Sequence, residues 1–162
     1  MLSAGPLFSQ GGDEQHLKAA FVFRFPQFVT WPPVSTSGRN TLEICVAGSA
    51  TAGALRDLTS GESLNGRQFV VRENPAEQSL QSCHVLMVAG RQQSRAMMAR
   101  AATLPILTVG DSETFLDDGG IIQLKLVDRR VRFEISMPAA SRAGITLSSQ
   151  LLRLAANVRG GR

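Results

Sequence analysis

GGIIQLKLVDRRVRFEISMPAASRAGITLSSQLLRLA, residues 119–155, carries the punctuation of a complete folding unit. Gly119-Gly120 releases the chain into an apolar strand through Ile121, Ile122, Leu124 and Leu126, and Asp128-Arg129-Arg130 turns it. Val131, Phe133 and Ile135 then alternate with Arg132 and Glu134. That period of two predicts a β-hairpin with one buried and one wet face. Pro138 stands where a helix tolerates a missing N–H, and Gly144 where one ends left-handed, so PAASRAG predicts a short helix. A longer helix is expected to follow, with Leu147, Leu151, Leu154 and Val158 on one stripe.

Working outward, residues 1–12 show no periodicity and read as a flexible leader, and 13–158 as a single domain. Asp13 is a fitting N-cap for a helix bearing Leu17, Ala20, Phe21, Phe25 and Phe28. Pro26 predicts a kink or break near Phe25, with a further turn reaching Trp31 before Pro32-Pro33. Phe23 falls off the main stripe, so it either packs under a loop or joins an exposed partner patch. Next come short apolar runs that read as strands, TLEICVAG, RQFVVRE, CHVLMVAG and ILTVGD. Helices are expected at 51–58 and 91–103, with a helical turn at SETFLDD and Ser112 as its cap. Strands alternating with helices predict an α/β fold, a three-layer sandwich whose mostly parallel sheet is finished by the antiparallel hairpin.

The 162 residues and 43% hydrophobic content suit one domain with a core. A net charge of +4 comes from 17 basic and 13 acidic residues, with arginines scattered along the chain. Aromatic residues make up 6%, tyrosine is absent, and no basic stripe interleaves with rings, which argues against nucleic-acid binding. No apolar run approaches the roughly 20 residues of a membrane helix. The opening MLSAGPLFSQGG lacks the charged and apolar regions of an export signal.

Three strands end alike, in ICVAGS, LMVAGR and LTVGDS. The carboxyl ends of parallel strands border the crevice where open α/β sheets bind ligands, which makes Ser49, Arg91, Asp111 and Ser112 the candidate rim of a small-molecule pocket. The bland alternative is ordinary strand-to-helix turns, since neither a dinucleotide nor a phosphate-loop motif is present. Cys45 and Cys83 lie in strands that are commonly neighbours, and two readings stand open. One is a disulfide, whose loop of roughly 38 residues contributes about 4 kcal/mol in the chain-entropy picture. The other is a pair of buried thiols. No spacing of ligands suggests a metal or other cofactor. His16 and His84 accompany no nucleophile with an orienting acid, and the adjacent Asp117-Asp118 make a poor acid/base pair, so nothing points to an enzyme.

The segments LKAAFVFRFPQFVTWPP, LEICVAG, LNGRQFVVRE, SCHVLMVAG, ILTVGDSETFLDDGGII and VRFEISMPAASRAGITLSSQLLRLA, in this order, resemble the YfiR family of periplasmic regulators from Leu17 to Ala155. The resemblance implies an α/β sandwich without enzymatic activity or cofactor, exported to the periplasm. It implies a partner, the periplasmic domain of an inner-membrane diguanylate cyclase, which is held inactive so that cyclic di-GMP and biofilm formation fall. It further implies release by an outer-membrane lipoprotein, leaves room for a homodimer, and pairs Cys45 with Cys83 in a disulfide. A second cysteine pair found in relatives has no counterpart here, and Asp128-Arg129 replaces a more glycine-like turn. The charged hairpin face (Arg132, Glu134) and the segments after it (Arg142, Arg153) are the expected partner surface. A small-ligand sensor using the strand ends is the alternative.

Overall fold

The computed structural model describes the backbone of residues 5–90 and 95–160, with side chains for 14–48, 50–90 and 95–160. The chain opens with helix α1 (Gly5–Arg24), a 3-10 turn (Phe25–Phe28), the short strand β1 (Val29–Thr30) and helix α2 (Pro33–Thr36). Then follow β2 (Thr41–Ala47), α3 (Ser49–Thr59), β3 (Ser63–Leu64), β4 (Arg67–Glu73), a second 3-10 turn (Glu77–Ser82), β5 (Val85–Val88), α4 (Arg95–Ala102) and β6 (Leu107–Gly110). The hairpin β7 (Ile122–Val127) and β8 (Arg130–Ser136) leads into α5 (Met137–Arg142), β9 (Thr146–Leu147), α6 (Ser149–Leu154) and β10 (Asn157–Arg159).

Eight strands form the main sheet in the order β10-β8-β7-β6-β5-β2-β4-β3. From β4 to β7 the neighbours run parallel, β8 turns antiparallel to β7, and β3 is antiparallel to β4. A separate antiparallel pair joins β1 to β9. Because successive side chains point to opposite faces and both faces are covered, the central strands are apolar throughout. Ile44, Val46, Val85, Met87, Phe133 and Ile135 meet residues of α1, α3, α5 and α6 on one face. Cys45, Leu86 and Val88 meet Leu80, Met98, Ala101 and Phe115 on the other. The three-layer α/β sandwich read from the sequence is the fold.

Local departures have physical causes. The first helix begins at Gly5, ahead of the Asp13 start. Pro26 ends it as expected, but the 3-10 turn stops at Phe28, because Val29-Thr30 pairs with Thr146-Leu147 in place of a further turn. Phe23 packs against Phe69, with ring centroids 5.2 Å apart, whereas Leu17 faces solvent. The SETFLDD segment forms turns without a helix. There Phe115 is fully buried against the backbones of Gly110 and Gly120, and a Cβ on either glycine would fall inside its ring.

The long final helix is a correction. It spans six residues, Leu147 lies in β9, and Val158 lies in β10 alongside β8. The unsatisfied edge of β8 wins over helical periodicity: the Ala156 N–H donates to the Phe133 carbonyl at 2.8 Å, and the chain finishes as an edge strand. Leu154, placed on the helix's buried stripe, is left exposed. The turn of the hairpin is tighter than read, with Asp128 and Arg129 as its two central residues, both at positive φ.

Candidate functional site

The parallel order β4-β2-β5-β6 puts the topological switch between β2 and β5, where a ligand crevice is expected at the carboxyl ends. Gly48 leaves β2 at φ 135, and a Cβ there would lie 2.6 Å from Ala89 Cβ, so only glycine lets the two strand ends close up. Asp111 follows β6. Its Oδ1 accepts from the Gly90 N–H at 2.5 Å and its Oδ2 pairs with Lys18 Nζ at 2.8 Å. Lys18, buried on α1, also pairs with Glu14 at 2.6 Å. Burial alone would lower the Lys18 pKa, but the bonds to Asp111 and Glu14 and their charges outweigh it and hold it above the ordinary value. Beside this pair the Thr51 hydroxyl donates to Gln15 Oε1 at 2.5 Å. Helix α1 therefore closes over the strand ends.

Of the predicted rim, Asp111 has both oxygens engaged by the protein itself. Ser112 receives the Thr114 N–H at 3.3 Å as a turn cap. Ser49 opens α3 at the end of β2, two strands away from Asp111, and Arg91 lies outside the described residues. An open polar groove of about 630 Å³ adjoins this rim, between α4 and the 112–118 turn, lined by Arg95, Met98, Ser112, Glu113 and Asp118.

In the same apolar layer as Met98 and Phe115, Cys45 and Cys83 form a disulfide, Cα–Cα 5.9 Å, with both cysteines buried. Next to it the buried Glu43 carboxylate lies 3.0 Å from Arg39 and 2.9 Å from Arg72. His84 is buried with its tautomer fixed: Nδ1 accepts from the Glu43 N–H at 2.9 Å, and Nε2 donates to the Ser35 carbonyl at 2.9 Å. Burial, with Arg39 nearby, pushes its pKa below the ordinary 6.5. The Trp31 indole donates to the His84 carbonyl at 3.0 Å and meets the imidazole edge-on. His84 is thus a structural histidine, and His16 is exposed on α1. Among the described residues no group of three or more acidic, histidine or cysteine side chains is placed to hold a metal.

The candidate partner residues do not share one surface. Phe133 points into the layer of α1 and α6, so Arg132 and Glu134 stand on the opposite face of the hairpin, where Glu134 pairs with Lys125 at 2.9 Å. Arg153, on α6, is exposed beside Phe28 and Leu154 on the α1 side. Arg142 is exposed on α5. Sequence reasoning missed Lys18, whose only local signal is its i, i+4 spacing from Glu14, and missed Glu43 with its two arginines, which come together only through the sheet.

The fold and the comparisons define this protein as a member of a regulatory family built on a three-layer α/β sandwich. The YfiR/HmsC-like family model matches residues 15–156, and the chain belongs to that family. A crystal structure of a conserved domain protein from Vibrio cholerae O1 biovar El Tor has the same fold, with a TM-score of 0.55 at 13% identity. The match covers 90% of this chain and 60% of that one, so the chain spans less than two thirds of its neighbour's length. No curated protein sequence matches. No helix among the described residues is long and apolar enough to cross a membrane.

Proposed function

We infer that the chain is a periplasmic regulator without enzymatic activity, which docks on the sensor domain of an inner-membrane diguanylate cyclase and holds it inactive, lowering cyclic di-GMP and biofilm formation. An outer-membrane lipoprotein acts as the releasing partner. The observation that carries this reading is the family match over residues 15–156. The buried ionisable groups support it, since Lys18, Asp111, Glu43 and His84 are all committed to bonds within the fold. The contact on this chain is the wet face of the hairpin, Arg132 and Glu134, where a cation beside a carboxylate suits a complementary charged patch. Arg142 and Arg153 lie apart from it and contribute less. Capture of the soluble periplasmic domain of a co-encoded membrane cyclase tests the reading. Wild type retains it, and Arg132→Glu with Glu134→Arg loses it; retention by neither, or equally by both, removes the assignment.

One observation favours a second reading, a small-ligand sensor: the groove beside Ser112 is large enough for a metabolite. A thermal-shift screen of nucleotides and metabolites decides it, because a ligand that binds only the native state raises the melting temperature.

A further inference from the structure

The hairpin reaches past its own sheet. Strand β6 pairs with β7 only at Val109↔Ile122 and Gly110↔Gln123, and β10 pairs with β8 only from Glu134 to Ser136. The ladder between β7 and β8 nevertheless continues to Val127↔Arg130. Beyond the buried pair Leu124↔Phe133, residues 125–127 and their partners therefore continue without a strand on either side, by about 10 Å at ~3.4 Å per residue. Helix α1 covers one side as far as Phe133, whose ring lies 5.9 Å from that of Phe21, and Val131 is the last buried residue before the apex.

The apex combines two kinds of chemistry. Leu126 and Val127 are 44% and 42% exposed, on opposite faces just behind the turn. Arg129, Arg130 and Arg132 are exposed around them and outnumber the one carboxylate of the turn, the exposed Asp128, and among the described residues no ion pair joins a carboxylate to any of the three. Arg129 sits at φ 65, a conformation in which glycine would be unstrained. An arginine held there against its own backbone preference points to a use for its charge. Two half-exposed apolar side chains and three arginines are far fewer than the roughly 20–30 residues a side of a stable protein interface, so the tip by itself is too small to dock a folded protein. A fluid anionic surface makes no such demand, because apolar side chains enter the headgroup boundary while arginines spread to the phosphates.

We propose that the β7–β8 tip is a peripheral membrane contact, which inserts Leu126 and Val127 at the surface of an anionic phospholipid bilayer and engages lipid phosphates with Arg129, Arg130 and Arg132. With two apolar residues and three cations the contact is weak and reversible, and it strengthens any partner contact made on the same membrane. It needs no cyclase, so its test is separate from that of the proposed function.

The test is co-sedimentation of the full chain with vesicles of phosphatidylcholine alone or with added phosphatidylglycerol. The chain sediments with the anionic vesicles, less so as salt is raised. Arg129→Glu with Arg130→Glu lowers the partition at least about tenfold, and Leu126→Ser with Val127→Ser lowers it as well. Arg56→Glu with Arg100→Glu, the same change of charge placed away from the tip, keeps substantially more binding than the tip variant. Melting temperatures near that of wild type show that each variant is folded. Equal sedimentation with both kinds of vesicle, or equal losses from the tip and control pairs, overturns the proposal. Tip variants that lose the cyclase domain in solution yet sediment like wild type would mark the tip as a protein contact, and likewise overturn it.

Discussion

Lys18 Nζ lies 2.8 Å from Asp111 Oδ2, and this pair ties the first helix to the end of β6 across 93 positions of sequence. Both side chains are more than nine-tenths buried, so each depends on the other for its charge. Lys18→Met leaves Asp111 with only the Gly90 N–H and costs about 3 kcal/mol of unfolding free energy. Adding Asp111→Asn to it restores part of that loss, because the uncompensated carboxylate is gone. Chemical denaturation of Lys18→Met, Asp111→Asn and the double variant closes the cycle, and additive losses would show that the pair is not coupled.

His84 makes stability depend on pH. Its folded pKa lies below the 6.5 of the unfolded chain, since burial opposes the charged ring and Nδ1 must stay unprotonated to accept from Glu43. The unfolded state therefore takes up the proton first, and stability falls as pH drops from about 7 through 6.5 toward the folded pKa. Melting temperatures across that range decline in the wild type. His84→Gln, though less stable throughout, shows a shallower slope.

Gly120 and Phe115 form a fitted contact, and Gly110 lies on the other side of the same ring. Gly120→Ala pushes a methyl group into a fully buried ring and costs about 2 kcal/mol by overpacking. With Phe115→Leu already in place the same change costs less, because the smaller side chain yields. Urea midpoints of the four combinations give the coupling directly.

These contacts mark the limits of what the sequence conveys. The strands, the β7–β8 hairpin and the Pro138–Gly144 helix are legible because their signals are local: alternation, a proline at a helix start, a glycine at its end. The last helix is shorter than its periodicity predicts because a free edge on β8, which exists only once the sheet is assembled, draws Ala156 and Val158 into pairing. Asp111 was legible as a strand-end residue, but its partner Lys18, buried by a helix folding back over the crevice, was not. The cysteines lay between these cases: their spacing left disulfide and thiols open, and the family pattern pointed to the pairing that the structure contains.

Arg129 is expected to be a stability defect. Arg129→Gly relieves the left-handed backbone and raises stability by about 0.5–1 kcal/mol after the entropy of the added glycine. A thermal melt with higher midpoint confirms it. An unchanged or lower midpoint would mean that the turn carries no strain for the arginine to hold.

Whether the chain silences a membrane cyclase by docking on it can be read from the output of the cyclase itself. Full-length co-encoded diguanylate cyclase is reconstituted in vesicles with its periplasmic domain outward, and cyclic di-GMP synthesis is followed as purified chain is added. Synthesis is expected to fall to a low plateau with wild type and to stay high with the Arg132→Glu, Glu134→Arg variant. Synthesis that does not change at saturating wild-type chain would contradict the proposed function.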